Sequence, residues 1–258
     1  VGHTLGLSHD GTSTAAYYQG HGTGETGWAP IMGVGYYKNL VQWSKGEYAN
    51  ANNTQDDYLL MQNNGVVFDA DDYGNTPAAA ASLTPQVVNG LNSLSIRGVL
   101  QGPSDVDVFK LDSGAGPLSV NALPFTLAPN ADLLVSLMDA SGNVLAQSNA
   151  FATLGTSLSF SIPSNGTYYV SVEGTGKPDP YVDGYSKYGS IGQYSLAFSY
   201  PIFGGNLAPT ARLSASATSG TTPLTVNFSA SGSSDADGSI VNYEWDFGDG
   251  TTATGLTT

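Results

Sequence analysis

GTYYVSVEG, residues 166–174, decides the fold class of this chain. Tyr168, Val170 and Val172 occupy every second position of the stretch. Because successive side chains of a β-strand point to opposite faces, this spacing places three apolar side chains on one face of a strand. GQYSLAFSY, residues 192–200, has the same period of two. Both stretches therefore predict strands that bury one face.

The same alternation continues through the centre of the chain. Phe109 and Leu111 flank Lys110, and an apolar residue stands at every second position of residues 133–137. Turns containing Gly, Asn and Ser separate these stretches, and no helical pattern lies between them. Strands joined in this way predict an antiparallel β-sandwich of the jelly-roll kind over residues 95–201.

The regions on either side of the sandwich differ from it. Residues 1–68 contain all three histidines and the helix pattern NTQDDYLLMQNNG, for which we expect Thr54 as N-cap and Asp57 as its capping-box partner. The last region returns to alternation, with too few strands to close a sandwich, so we expect the sequence to be cut at both ends. The expected divisions are 1–68, a linker 69–94 leading into the sandwich, 95–201, a linker 202–210, and 211–258.

The charge balance restricts the partners of the protein. The 258 residues include 21 Asp and Glu but only 7 Lys and Arg, which gives a net charge of -14. Such a chain repels nucleic acid and anionic membranes, because phosphate binding needs clustered cations. No apolar run approaches the length of a membrane span, and there is no cysteine. This composition suits a secreted, extracellular protein.

Two of the histidines stand close together in VGHTLGLSHDG, residues 1–11. Zinc takes about four ligands and binds neutral imidazole nitrogens at about 2.0–2.1 Å. A helix offers two histidines four residues apart, and a left-handed glycine after the helix turns the chain back so that a third can join them. Gly6 has that place between His3 and His9. The expected helical partner of His3 would stand four residues before it, followed directly by a general-base Glu, so both would precede Val1.

This stretch resembles the second part of the metzincin zinc-endopeptidase signature, HExxHxxGxxHD. GWAPIMGVGYY, residues 27–37, resembles the Met-turn of the same proteins, a loop whose methionine packs beneath the zinc-binding imidazoles. The resemblance implies that the zinc ligands are His3 and His9 and that the structural residues around Zn²⁺ are Gly6, Asp10 and Met32. The catalytic Glu would lie outside this sequence, so we expect the isolated chain to bind zinc weakly and to lack peptidase activity.

The sandwich region resembles the bacterial pre-peptidase C-terminal domain, a β-sandwich appended to secreted peptidases. DDYGNTPAAAASL, residues 71–83, and GVLQGPSDVDVFKLD, residues 98–112, carry the resemblance together with the two strand stretches above. In some members of that family, carboxylates ahead of the sandwich bind calcium, which takes six to eight oxygen ligands. By resemblance, the candidate Ca²⁺ ligands are Asp69, Asp71 and Asp72. The alternative is a solvated acidic linker.

YEWDFGDG, residues 243–250, resembles the PKD domain, an immunoglobulin-like sandwich. The resemblance implies that Trp245 is a core residue of its strand and that Asp246 braces the turn at Gly248. The expected fold class is therefore mainly β, with a small α/irregular metzincin remnant, a jelly-roll-like sandwich and a partial immunoglobulin-like sandwich.

These patterns predict part of a secreted zinc-dependent endopeptidase that hydrolyses peptide bonds of extracellular proteins. The appended sandwiches would bind substrate or matrix, or assist export. The alternative is a non-enzymatic extracellular binding or adhesion protein, in which the sandwiches recognise polysaccharide or matrix protein. A third possibility is that the sandwiches are spacers.

Overall fold

The computed structural model describes residues 1–204, 208–235 and 238–258. Part of the predicted linker 202–210, residues 205–207, therefore lies outside the described residues. The described chain is mainly β, which confirms the predicted fold class. Across the same ranges, no helix is both long and apolar enough to cross a membrane.

The N-terminal region has little regular structure. A 3₁₀ turn at Gly2–Leu5 is followed by the parallel strands β1 (Trp28–Pro30) and β2 (Leu40–Gln42) and by a second 3₁₀ turn, Gly35–Tyr37, between those two strands. The single α-helix described, α1, spans Asp57–Asn63.

The N-cap of α1 is Asp56, whose side chain accepts a hydrogen bond from the backbone N–H of Leu59. The prediction of Thr54 as N-cap was therefore wrong. Asp57 is the first residue of the helix, and it faces inward, where its carboxylate accepts the N–H of Ser44 at 2.8 Å. Because the N-cap directly precedes Asp57 and does not stand three residues before it, Asp57 does not occupy the capping-box position.

Two five-stranded sheets form the centre of the molecule. One has the order β10-β7-β12-β5-β4 and the other the order β3-β6-β11-β8-β9. All pairings are antiparallel except that of β3 with β6. The strands are β3 (Ala81–Ser82), β4 (Gln86–Val88), β5 (Leu91–Leu100), β6 (Val106–Ser113), β7 (Gly116–Pro124), β8 (Leu133–Met138), β9 (Val144–Ser148), β10 (Thr156–Ile162), β11 (Gly166–Gly174) and β12 (Gly192–Pro201). Two further 3₁₀ turns are Pro77–Ala79 and Lys187–Gly189.

The alternation in the sequence corresponds to the two faces of these strands. Val170 and Val172 on β11 and Leu196 on β12 are fully buried between the sheets. Phe109 of β6 meets Phe198 of β12 edge to face, with ring centroids 6.1 Å apart. Burial of such side chains contributes most of the stability of a sandwich of this size.

The sandwich begins earlier than the alternating pattern indicated. Strands β3 and β4 and the start of β5 lie within residues 69–94, the segment predicted as the linker and entry to the sandwich. Asn89 and Gly90 join β4 to β5 with positive φ angles of 51° and 78°. This is the two-residue Asn-Gly turn that favours a tight hairpin, because its backbone twist matches that of the strands.

The C-terminal region contains two short antiparallel pairs: β13 (Ser214–Ala215) with β14 (Phe228–Ser229), and β15 (Glu244–Asp246) with β16 (Thr252–Thr254). Trp245 packs near Phe228, with ring centroids 6.0 Å apart. Asp246 accepts the N–H of Gly248 at 2.9 Å, which confirms its predicted role in the turn.

The N-terminal region packs directly against the sandwich. Trp28, Leu40 and Tyr48 form one buried cluster with Leu154 and Tyr185 of the sandwich. Polar contacts follow the same boundary. Gln42 accepts a hydrogen bond from the Trp28 indole and donates to the carbonyl of Asn130 and the hydroxyl of Ser190.

Candidate metal sites

The first candidate site is the histidine pair near the N-terminus. The 3₁₀ turn that carries His3 ends at Gly6, which has φ 83° and ψ 3°, the left-handed conformation predicted for it. The chain then turns back and brings His9 against His3. The two Nε2 atoms lie 2.8 Å apart, so the imidazoles face each other as the spacing predicts.

The geometry of the pair fits a shared cation. Two nitrogens bound to one tetrahedral zinc at about 2.05 Å lie roughly 3.3 Å apart, so binding the ion would need a small rotation of one ring and the transfer of the His9 proton from Nε2 to Nδ1. The Nδ1 atom of His3 donates to the carbonyl oxygen of Leu7 at 2.8 Å. This bond leaves the lone pair on Nε2, as in zinc sites where a carbonyl fixes the tautomer of the ligand.

The predicted Met-turn lies next to the histidine segment. The N–H of Asp10 donates to the carbonyl of Met32 at 3.0 Å, which joins the two segments. A side chain at Gly2 would collide with the sulfur of Met32, so the methionine packs directly against the turn that carries His3.

Asp10 is buried, and one of its oxygens accepts the amide of Asn53 at 3.2 Å while the other has no partner. Burial, and then the charge of Asp57, raise the pKa of Asp10 to about 7. Asp10 is therefore a buried carboxyl that follows His9 in sequence and contacts Asn53 and Met32, and its structural role at a zinc site stays a prediction.

Sequence reasoning missed one neighbour of the pair. The ring of Tyr17 lies on His9 with centroids 4.2 Å apart. In the part of the chain that the structure describes, no group of three or more His, Cys, Asp or Glu ligands converges here. Among the described residues, the chain supplies two imidazoles to this site.

The second candidate site is an acidic cluster beside the sandwich. Ligand oxygens of Asp71, Asp72 and Asp107 all lie within 4.8 Å of one another. Three oxygens at this upper limit lie about 2.8 Å from a common centre, so a slight contraction would bring all three to the 2.3–2.6 Å at which oxygen binds Ca²⁺. Asp69, which was predicted to join Asp71 and Asp72, is not part of the group.

The buried carboxylate of the cluster, that of Asp107, has no positively charged partner among the described residues. Asp107 is fully buried, and one of its oxygens accepts the hydroxyl of Tyr194 at 2.5 Å, whereas the other has no partner. Burial raises the pKa of Asp107 to about 7, although the Tyr194 bond lowers it, and the charges of Asp105, Asp72 and Asp71 raise it further. None of these carboxylates belongs to an ion pair within the described ranges.

Neighbouring groups hold the cluster in place. Gln101 donates from its side chain to Asp72 at 2.9 Å and from its backbone to Asp105 at 2.7 Å, and its own amide oxygen is buried without a partner. Asp71 accepts the amide of Asn75 at 2.8 Å. A cation at this position could therefore use carboxylate oxygens and a nearby neutral amide oxygen, the donor set that calcium prefers.

Asp107 was visible in the sequence but was not recognised. It stands in phase with Phe109 and Leu111, so the alternation that predicts β6 also predicts that its carboxylate faces the core. A charged residue at an inward position is unusual unless it is paired or binds a metal. That anomaly was the available signal.

Comparison with known proteins supports the assignment of the last region. Residues 206–258 match the PKD domain family, which confirms the PKD resemblance. Among solved structures, the chain is similar to the pre-peptidase C-terminal domain of collagenase from Bacillus anthracis, with 20% identity, a TM-score of 0.33, and coverage of 48% of this chain and 99% of that chain. It is also similar to PliG of Aeromonas hydrophila, a periplasmic inhibitor of g-type lysozyme, with 15% identity, a TM-score of 0.33, and coverage of 46% and 96%. These similarities are too low to transfer a function. No curated protein matches the chain.

Proposed function

We propose that this chain is part of a secreted zinc endopeptidase that cleaves extracellular proteins. The observation that supports the proposal most directly is the convergence of the His3 and His9 Nε2 atoms, with the His3 tautomer set by Leu7. The placement of Asp10 and Met32 around the pair also supports it, because both were expected there from the metzincin resemblance. The PKD match and the strongly negative charge are compatible with an extracellular protein.

In this proposal the residues of this chain bind the zinc ion and orient its histidine ligands. The Leu7 carbonyl keeps His3 in the tautomer whose Nε2 can bind a metal, and His9 would bind through Nε2 once its proton moves to Nδ1. Bound zinc supplies Lewis acidity, which lowers the pKa of a water and polarises a peptide carbonyl. The metzincin resemblance implies that a general-base Glu and another His ligand would stand ahead of Val1.

The experiment compares the parent chain with residues 1–258. We expect the parent gene to encode His-Glu directly before Val1 and the parent chain to hydrolyse a peptide substrate, with activity lost in His3→Ala and His9→Ala. Residues 1–258 alone should be inactive and bind zinc weakly. Peptidase activity of residues 1–258, or a parent gene without His-Glu at that place, would contradict the proposal and favour the non-enzymatic binding protein.

The acidic cluster has a separate function in this proposal: it binds Ca²⁺ and stabilises the start of the sandwich. The unpartnered, buried oxygen of Asp107 beside Asp71 and Asp72 supports it, because a buried charge is costly unless it is paired or bound to a metal. Asp71 and Asp72 precede β3, whereas Asp107 lies in β6. An ion held between them would therefore join the segment before the first sandwich strand to the sheet.

A further inference from the structure

We propose that Tyr188 of the sandwich is a positioning residue for the His3–His9 pair. The sandwich would then be a part of the support of the candidate zinc site and not a detachable appendage. This inference rests on the proposed zinc-binding role of the pair. Tyr188 lies in the 3₁₀ turn of the β11–β12 connection and is only 7% exposed.

The hydroxyl of Tyr188 binds the first turn of α1. It accepts the N–H of Tyr58 at 2.7 Å and donates to the carboxylate of Asp56 at 2.7 Å. The same carboxylate oxygen accepts the N–H of Leu59. The first N–H groups of a helix have no partner within the helix, so Tyr188 and Asp56 together satisfy two of them. A residue of the sandwich thus fixes where α1 begins.

Helix α1 in turn holds the histidine segment. The side chain of Asn64, at its C-terminal end, donates to the carbonyl of Leu5 at 3.2 Å. The side chain of Leu7 is buried in one cluster with Tyr58, Met61 and Tyr188. The carbonyl of that same Leu7 holds the Nδ1 of His3.

The path from Tyr188 to His3 is therefore short and continuous. Without the hydroxyl, the N–H of Tyr58 is left buried without a partner, and the start of α1 must move or admit water. Leu7 packs on that turn, so a shift of the turn should disturb the hydrogen bond between the Leu7 carbonyl and His3 Nδ1 first. Phe at position 188 would keep the ring packing on Tyr58, where the centroids are 4.7 Å apart, and would remove only the hydroxyl.

The test uses the whole 258-residue chain and has a metal-free and a metal-dependent readout. Long-range ¹H–¹⁵N spectra of the histidine rings report the tautomer of His3, and titration with Zn²⁺ followed on the same signals gives the dissociation constant. In the wild type we expect the proton of His3 on Nδ1. Tyr188→Phe should shift His3 toward the Nε2–H tautomer and weaken zinc binding about tenfold, as loss of outer support of a metal ligand does. Tyr168→Phe is the matched control, because its hydroxyl bonds the carbonyl of Ser164 elsewhere in the sandwich.

The outcomes separate the two proposals. Unchanged His3 tautomer and zinc affinity in a folded Tyr188→Phe variant overturn the positioning role. If the wild-type histidines do not respond to zinc, the zinc proposal fails, while the tautomer comparison still decides the role of Tyr188. Should Tyr188→Phe not fold in buffer, the spectra are recorded in trimethylamine N-oxide, an osmolyte that favours the folded state. A His3 tautomer that stays on Nδ1 in the variant under those conditions then overturns the positioning role.

Discussion

Replacing Asp107 by Asn should change the stability of the protein in opposite directions with and without calcium. In EDTA at pH 8, the wild-type chain must hold a buried negative charge beside Asp71 and Asp72. The increase in the pKa of Asp107 from 3.8 to about 7 corresponds to a cost of up to ~4 kcal/mol. Water around the exposed Asp71 and Asp72 screens part of that repulsion, so this figure is an upper limit. Asn keeps an oxygen for the Tyr194 hydroxyl and offers an amide to the neighbouring carboxylates.

We therefore expect Asp107→Asn to raise the melting temperature in EDTA, by about 2–4 °C for each kcal/mol regained. With Ca²⁺ at 100 times its dissociation constant, the wild type should gain about 2.7 kcal/mol, and the variant should gain little. Differential scanning calorimetry with and without Ca²⁺ measures both effects. Asp69→Asn is the control, because Asp69 is outside the cluster and its loss should leave the calcium response intact. Equal calcium responses in Asp107→Asn and wild type, or a lower melting temperature of the variant in EDTA, would refute the reasoning.

Three further predictions concern the rest of the molecule. Gly6→Ala should lower the free energy of unfolding by about 1–2 kcal/mol in urea titration, because Gly6 has φ 83°, a conformation that strains an alanine. A Cβ there meets no atom closer than 3.5 Å, so the cost is backbone strain alone. An unchanged free energy of unfolding would contradict the left-handed turn. In EDTA, stability should fall as the pH rises from about 5 to 8, because burial raises the pKa values of Asp10 and Asp107 to about 7 and those of Asp57 and Asp132 to about 6. These carboxyls keep their protons in the folded state at pH values where the unfolded chain has lost them. Their contribution to the free energy of unfolding is therefore full below the unfolded pKa of about 3.9 and is lost as the pH passes 6 to 7. A melting temperature that rises over this range would contradict the prediction. Phe109→Ala should lower the free energy of unfolding by about 3–5 kcal/mol in urea titration, because Phe109 is fully buried between the sheets. Phe151→Ala is the control and should cost far less, because its side chain is 54% exposed. Equal losses in the two variants would contradict the assignment of the core.

The sequence predicts the sandwich well because a half-buried strand has an apolar residue at every second position. Val170, Val172 and Leu196 could be placed in the core from spacing alone, and the structure buries all three. The short strands β3 and β4 escaped the same reasoning. Val87 and Val88 are both largely exposed, so no alternation marks β4, and only the Asn89-Gly90 turn signalled the hairpin. Local turn chemistry was more informative there than hydrophobic periodicity.

The candidate sites differ in the same way. The histidine pair is local, because six residues and one left-handed glycine bring the imidazoles together, and so the spacing was enough to predict it. The acidic cluster joins Asp71 and Asp72 to a strand more than thirty residues away. No spacing rule reaches that far, and Asp107 could be found only as a charge at an inward position. Tyr188 is further still from the histidines in sequence, and only the packing of the sandwich on α1 brings it near.

The two candidate sites also differ in what they need before a metal binds. A hydrogen bond between the Nε2 atoms of His3 and His9 holds the two rings together without an ion, and zinc would have to displace the proton of that bond. The carboxylates of the acidic cluster repel one another, and a chain of net charge -14 offers few cations to neutralise them. Calcium should therefore contribute to the stability of the fold, whereas zinc should contribute to chemistry. EDTA removes both ions, so the His3→Ala variant separates their contributions: EDTA should lower the melting temperature of the wild type through Asp71, Asp72 and Asp107, and His3→Ala should leave that loss unchanged.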